Sequence, residues 1–105
     1  MVILVVDDDP GVRSVLKRTI EARGHSAREA RDGAEGLDAA RKERPDAIIS
    51  DGLMPGMDGF QFLRAVRRDE ALKSVPFVLY TSVYTGDKEQ DLALSLGADD
   101  LIVKP

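Results

Sequence analysis

The chain has 105 residues, enough for one small domain with a single layered core. It contains no cysteine, which excludes a disulfide framework and a thiolate metal site and is typical of a reducing compartment. The formal net charge is −4, and basic residues are interspersed with acids, so we expect no direct binding to nucleic acid. The apolar run Val2–Val6 is too short to span a membrane and lacks the flanks of a signal peptide. We therefore expect a cytoplasmic protein with no membrane partner.

The first half of the chain predicts two strands, each followed by a helix. The β-branched run Val2–Val6 predicts a strand buried on both faces, as in parallel sheets. Asp9 is the predicted N-cap of a helix that Gly24 ends, with apolar residues at spacings of three and four. The polar segment 25–30 predicts an edge strand, and residues 34–43 predict a second helix.

The second half continues the same alternation. Residues 47–50 predict a third strand, and Asp58 is the predicted cap of a third helix. Residues 77–80 predict a fourth strand, 87–96 a fourth helix and 101–103 a fifth strand. Strands that alternate with helices over short connections predict an α/β domain, with a parallel sheet and helices on both faces.

Acidic, hydroxyl and ammonium groups follow the predicted strands at their carboxyl ends. Asp7 and Asp8 follow the first strand, and Asp51 follows the third. Thr81 follows the fourth strand and Lys104 the fifth. In an open parallel sheet these ends form one rim, where ligands bind near the switch in strand order. Clustered carboxylates repel one another, and Mg²⁺, which prefers oxygen ligands and keeps several waters, would relieve that repulsion.

These residue types match the requirements of phosphoryl transfer to a carboxylate. Asp51 can act as an oxygen nucleophile toward phosphorus, which gives an aspartyl phosphate. Mg²⁺ and the Lys104 ammonium would neutralise the incoming charge, and the Thr81 hydroxyl would donate a hydrogen bond. The glycine- and proline-rich loop 52–56 is expected to fold back, so that the main-chain carbonyl of Leu53 faces the same ion. Such a site works mainly by positioning and electrostatics.

Four segments in this order resemble the receiver domain of two-component response regulators, of the chemotaxis-regulator type. They are VVDDDP, IISDGLMPGMDG, FVLYTS and VKP. The resemblance covers residues 1–105. It implies a doubly wound five-stranded parallel sheet of flavodoxin-like order 2-1-3-4-5. It also implies a (βα)5 architecture whose fifth helix is missing from this chain, so we expect a receiver domain truncated before its last helix and belonging to a longer protein.

The resemblance also implies the roles of the rim residues. Asp51 is the implied phosphoacceptor, and Asp7, Asp8, Asp51 and the carbonyl of Leu53 are the implied Mg²⁺ ligands. The implied donor is a sensor histidine kinase or a phosphotransfer protein. Phosphorylation would control an output domain in the same chain or a separate partner, and the family resemblance leaves open a homodimer on activation. A domain of this kind releases no diffusible product, so we interpret it as a signalling switch and not as an enzyme.

Two features depart from the family pattern. Leu101 stands where the family usually has an aromatic switch residue, and Tyr80 or Tyr84 are the nearby aromatic residues that could replace it. Leu53 and Val83 occupy the two positions that flank the path of the attacking water in the family. Apolar groups there would not orient that water, so we expect slow self-dephosphorylation.

Two alternative functions stay open at this point. One is a receiver-like interaction module that is never phosphorylated, which the unusual Leu101 keeps in view. The other is a Mg²⁺-dependent phosphohydrolase that forms an aspartyl phosphate. That class prefers an acid two residues after its nucleophile to protonate the leaving group, and Leu53 occupies that position here.

Overall fold

The structure is a computed structural model that describes residues 1–81, 91–92 and 94–103, without the side chains of Thr81 and Val103. Five parallel strands form one sheet in the order β2-β1-β3-β4-β5, which confirms the predicted flavodoxin-like order. The strands are β1 (Val2–Val6), β2 (Ser26–Ala30), β3 (Ala47–Asp51), β4 (Phe77–Thr81) and β5 (Asp100–Val103). The helices are α1 (Pro10–Ala22), α2 (Gly33–Lys42) and α3 (Gly59–Arg68). No helix in the described part of the chain is long and apolar enough to cross a membrane.

Side chains of aspartate set the start of each of these helices. Asp9 accepts hydrogen bonds from the first backbone N–H groups of α1, and Asp32 does the same at α2. Asp58 forms a capping box with Gln61 at the start of α3, in which each side chain bonds the backbone of the other residue. Residues 91–92 and 94–95 are helical and residue 96 lies in a turn, whereas residues 87–90 and 93 of the predicted fourth helix lie outside the described residues.

The switch in strand order lies between β1 and β3. The chain runs from β1 outward to β2 and then returns to the opposite side of β1 to form β3. Val6 of β1 pairs with Ser50 of β3, so the residues that follow each of them, Asp7 and Asp51, lie level at the carboxyl edge of the sheet. Asp51 in turn pairs with Tyr80 of β4. The register therefore brings strand-end residues from three neighbouring strands to the same edge.

One face of the sheet packs closely against α2 and α3. Side chains from alternate positions of β1, β3 and β4 form a buried cluster with both helices. The rings of Phe62 and Phe77 meet edge to face, with their centroids 5.3 Å apart. The fully buried apolar members include Leu4, Val6, Ile48, Phe62, Leu63, Val66, Phe77 and Leu79. Each side chain of this size stabilises the fold by about 1.5–3 kcal/mol through burial.

The opposite face is less completely covered. Helix α1 packs on β1 and β2 and buries Ile20 there. Val15, whose spacing in α1 is that of an inner residue, is 55% exposed and lies in an open groove beside Leu16 and Tyr80. On β5 of the same sheet, Ile102 is 51% exposed.

The edge strand β2 is polar, as predicted for residues 25–30. Its sequence is SAREA, and its charged side chains pair with groups on the flanking helices. Arg28 donates to the backbone carbonyl of Glu43 at the end of α2, and Glu29 pairs with Arg13 and Lys17 of α1. Charged side chains therefore line the outer strand at the β2 edge of the sheet.

Candidate functional site

Three carboxylates meet at the carboxyl edge of the sheet, as the sequence predicted. Asp7, Asp8 and Asp51 each offer one oxygen, and these oxygens all lie within 4.8 Å of one another. Asp7 is 1% exposed and Asp51 7% exposed, whereas Asp8 is open to solvent. Three ionised carboxylates at this separation repel one another, and two of them have lost most of their contact with water. An oxygen-rich site with one open side fits a hard divalent cation such as Mg²⁺.

The Asp7 carboxylate is held at both oxygens. Its Oδ1 accepts a hydrogen bond from the backbone N–H of Asp9 at 2.9 Å, and its Oδ2 accepts one from the hydroxyl of Tyr80 at 2.5 Å. The guanidinium of Arg13 donates to the backbone carbonyl of Asp7, also at 2.5 Å. Both the main chain and the side chain of this buried acid are therefore fixed in direction.

Tyr80 is a protonated donor in this arrangement. Burial of the phenol raises the pKa of Tyr80 well above its usual value of 10.0. The hydrogen bond to Asp7 and the negative charges of the three acids act in the same direction. Since a tyrosinate would be repelled by the neighbouring carboxylates, the hydroxyl keeps its proton at neutral pH.

The loop after β3 is hydrogen-bonded to β4 and to the end of β3. The N–H of Gly52 donates to the carbonyl of Tyr80 at 2.8 Å, and the N–H of Leu53 donates to Oδ1 of Asp51 at 3.3 Å. The N–H of Gly59 closes the loop on the carbonyl of Gly52 at 3.2 Å. The backbone of Leu53 thus lies beside the Asp51 carboxylate, while its side chain is 54% exposed. The role of its carbonyl as a metal ligand stays a prediction.

Glycine is required where α3 meets this loop. A Cβ on Gly59 would lie 2.0 Å from the carbonyl oxygen of Asp51 and 2.8 Å from the Cα of Gly52. Gly56, at the turn of the loop, has a φ of 73°, a left-handed backbone conformation that residues other than glycine rarely adopt. The packing of α3 against the loop therefore fixes the backbone that carries Asp51.

Two further acids near the rim serve as helix caps. The Asp9 carboxylate accepts from the N–H of Gly11 at 2.8 Å, and Asp58 accepts from the N–H of Gln61 at 2.9 Å. Neither belongs to the group of carboxylates that converges on one point in the described residues. The prediction that both are caps is confirmed.

Two predicted site groups, and two residues named for their departure from the family pattern, lie outside the described residues. They are the side chain of Thr81 and the residues Val83, Tyr84 and Lys104. The backbone of Thr81 ends β4 as predicted, and it pairs with Val103, the last residue of β5. Leu101, at the position of the family's aromatic switch, is partly buried against the α2 and α3 cluster.

The contact between Tyr80 and Asp7 was not predicted from the sequence. The only role that the sequence suggested for Tyr80 was that of a substitute for the aromatic switch. A signal was present, because a tyrosine near the end of a buried strand needs a partner for its hydroxyl. The nearest predicted polar groups were the strand-end acids, but the sequence did not indicate which one the phenol reaches.

The chain is similar to known proteins over almost its whole length. A family model described as response regulator receiver domain matches residues 3–105. Transcriptional regulatory protein AfsQ1 of Streptomyces coelicolor is 37% identical over 103 residues, which are 98% of this chain and 44% of that protein. Response regulator MprA of Mycobacterium avium is 39% identical over 105 residues, or 100% of this chain and 45% of that protein. The chain thus spans less than half the length of these two relatives.

Shorter relatives and solved structures are similar over most of their length. Protein PilH of Pseudomonas aeruginosa is 36% identical over 105 residues, which cover 98% of this chain and 84% of that protein. The chemotaxis response regulator CheY4 of Vibrio cholerae superposes with a TM-score of 0.92 at 36% identity, covering 99% of this chain and 86% of that one. A receiver domain of a signal transduction histidine kinase from Syntrophus aciditrophicus superposes with a TM-score of 0.89 at 36% identity, covering 99% and 78%.

Proposed function

The chain belongs to the response regulator receiver family, a family of two-component signalling modules, and on that premise we propose that it is a phosphoacceptor domain. It takes a phosphoryl group onto Asp51 from a sensor histidine kinase or a phosphotransfer protein. The observation that carries this proposal is the convergence of Asp7, Asp8 and Asp51 within 4.8 Å at the switch in strand order. We place this phosphoryl transfer in the cytoplasm, because a chain without cysteine suits a reducing compartment.

The same three carboxylates, with the carbonyl of Leu53, would hold Mg²⁺. When bound, the ion would neutralise the charge of the carboxylates and of the incoming phosphoryl oxygens. The buried Asp7 and the exposed Asp8 would hold the ion from one side. Asp51 would keep one oxygen directed toward the phosphorus.

The transfer exchanges one bond for another. An oxygen of the Asp51 carboxylate attacks the phosphorus of a phosphohistidine, and a P–O bond forms while the P–N bond breaks. The electron pair of the P–N bond returns to the imidazole nitrogen of the donor, and Asp51 becomes an acyl phosphate. The Lys104 ammonium and the Thr81 hydroxyl would then contact the phosphoryl oxygens. The changed contacts would alter the surface presented to an output domain, to a separate partner or to a second copy of the chain.

Incubation with Mg²⁺ and a small phosphodonor, followed by intact mass measurement, tests this proposal. We expect a gain of one phosphoryl group in the parent protein and none in Asp51→Asn. Asp58→Asn is the matched control, because it removes one acid from the segment between β3 and α3. Asparagine also caps helices, so the start of α3 should be preserved. That variant should be phosphorylated like the parent. A phosphoryl group on Asp51→Asn would overturn the assignment.

The same experiment separates the two alternative functions. Catalytic release of inorganic phosphate from the donor, with no stable gain in mass, would favour a phosphohydrolase. An unchanged mass in protein that binds Mg²⁺ would favour an interaction module that is not phosphorylated.

A further inference from the structure

We propose that Tyr80 is a positioning residue of the metal site, whose hydroxyl orients the Asp7 carboxylate and thereby strengthens Mg²⁺ binding. The inference rests on the proposed function of the acidic site and adds a residue outside the set of acids, hydroxyl and lysine that the sequence predicted. The observation behind it is the hydrogen bond from the Tyr80 hydroxyl to Oδ2 of Asp7, at 2.5 Å.

Because of the geometry of the sheet, only a long side chain at position 80 can reach Asp7. Tyr80 lies on β4 and Asp7 follows β1, and β3 separates the two strands. Neighbouring strands lie about 4.8 Å apart, so the two backbones are roughly 10 Å apart. A serine or threonine at position 80 could not cover that distance. A phenol can, and it carries its donor at the far end of a rigid ring.

The tyrosine is itself held firmly. Its carbonyl accepts from the N–H of Gly52 at 2.8 Å, and its backbone pairs with Asp51 on one side and Ile102 on the other. The side chain is buried, and the ring lines the groove beside Val12 and Leu16 of α1. Since the ring has only two rotatable bonds, little freedom remains for the hydroxyl to lose when the ion binds.

The effect on the ion follows from the position of Asp7. With the Asp9 N–H on Oδ1 and the Tyr80 hydroxyl on Oδ2, this carboxylate is already aligned beside Asp8 and Asp51. A carboxylate oxygen offers two lone pairs, so a hydrogen bond at one leaves capacity for a ligand bond at the other. Groups that orient a metal-binding side chain in this way typically contribute a factor of about 10–100 to the affinity for the metal.

The test compares Mg²⁺ affinity in the parent protein and in Tyr80→Phe by titration calorimetry. Phenylalanine keeps the ring and removes only the hydroxyl, and we expect the dissociation constant to rise by about 10- to 100-fold. Thr19→Val is the control, because it removes a hydroxyl that donates to the carbonyl of Val15 within α1 and contacts none of the three acids. Its affinity should equal that of the parent. An affinity of Tyr80→Phe within twofold of the parent, or tighter binding, would overturn the proposal.

A spectroscopic measurement gives a second readout that a merely structural role would not change. The chain has two tyrosines and no tryptophan, so Tyr80 alone would emit in Tyr84→Phe. Mg²⁺ should change that emission with the same midpoint as the calorimetric titration, because the ion and the phenol share Asp7. Emission that stays constant while Mg²⁺ binds would contradict the inference. This test does not depend on Tyr80→Phe, so it can be made even if that variant fails to fold.

The outcomes distinguish this inference from the function on which it rests. If the parent protein binds no Mg²⁺, both fall together. If the parent binds Mg²⁺ and becomes phosphorylated on Asp51, while Tyr80→Phe binds the ion equally well, only the role of Tyr80 falls.

Discussion

The two faces of the sheet differ in how tightly they are packed. On the face covered by α2 and α3, Ile48 is fully buried and Phe62 meets Phe77 edge to face. On the face covered by α1, Val15 and Ile102 are more than half exposed, and an open groove runs beside the helix. The same sheet thus has a closely packed side and a loosely covered side.

This difference indicates how the site is built. The Asp51 loop is fixed from the closely packed side, because α3 begins against it at Gly59. The Asp7 carboxylate is held by Tyr80, whose ring lies in the groove on the loosely covered side. The proposed phosphoacceptor Asp51 is therefore attached to the closely packed side of the sheet, while the proposed metal ligand Asp7 is oriented by a buried ring on the loosely covered side.

Matched isoleucine substitutions should produce the largest contrast between the faces. Ile48→Ala removes a fully buried side chain and should lower the free energy of unfolding by about 2–5 kcal/mol. Ile102→Ala removes a side chain that is 51% exposed and should cost less than about 1 kcal/mol. Urea denaturation of both variants measures the two values. Equal costs would show that the faces are packed alike.

Matched glycine substitutions test the same contrast at the helix starts. Gly59→Ala would place a Cβ 2.0 Å from the carbonyl of Asp51, so the loop must shift, and we expect a loss of about 1–3 kcal/mol. Gly11→Ala in α1 meets only the side chain of Asp9, at 3.2 Å, and should change stability by about 0.5 kcal/mol or less.

Thermal unfolding and phosphoryl incorporation together measure the result for the glycines. Gly59→Ala should also lower the rate of incorporation, because the shift moves Asp51. Normal phosphorylation in a destabilised Gly59→Ala variant would show that the packing of α3 does not determine the geometry of the site.

The exposed side of the phosphoacceptor loop should control how long the phosphoryl group persists. Leu53 is 54% exposed, so Leu53→Asn should leave stability nearly unchanged. Combined with Val83→Asn, it supplies polar groups that can orient a water, and we expect dephosphorylation to become about tenfold faster, equivalent to about 1.4 kcal/mol in the barrier. The decay of phosphorylated protein, followed by intact mass, gives both rates. Rapid decay in the parent protein would contradict the expected slow loss.

The smallest expected effect concerns an ion pair between the two helices of the closely packed face. Arg41 of α2 donates to Asp69 at the end of α3 at 2.9 Å, and this bond holds the pKa of Asp69 below its usual value of 3.8. A lowered pKa in the folded state adds stability that is fully present above pH 3.8 and is lost as the pH falls through the lowered value.

Urea midpoints of the parent and of Asp69→Asn measure this effect. The variant should unfold at a slightly lower urea concentration at pH 7, since exposed ion pairs contribute little. The difference should disappear in acid, below the lowered pKa. A difference that grows as the pH falls would mean that the carboxylate is not stabilised by Arg41.

Local patterns predicted most of the fold. Asp9 and Asp58 are short acidic side chains just before helical runs, and both cap helices in the structure. The α2 helix spans Gly33–Lys42, whereas residues 34–43 were predicted. This difference of one residue at each end is within the usual uncertainty of about one or two residues in helix boundaries. The convergence of Asp7, Asp8 and Asp51 could also be predicted, because parallel strands bring their carboxyl ends to one edge.

Contacts that depend on how elements pack could not be predicted. The spacing of Val15 is that of an inner residue, but whether it is covered depends on where α1 lies over the sheet. The partner of the Tyr80 hydroxyl depends on the register of β1, β3 and β4 together. Periodicity along one segment carries no information about such alignments between segments.

The charged flank of β2 restricts how copies of this protein can associate. A flat, apolar outer strand would let a second molecule extend the sheet through main-chain hydrogen bonds, and natural proteins prevent this with charge. Arg28 and Glu29 place opposite charges on this strand, and both are engaged by neighbouring helices. We therefore expect that fibre-like growth from this side is blocked, and that any pairing triggered by signalling uses surfaces elsewhere on the domain.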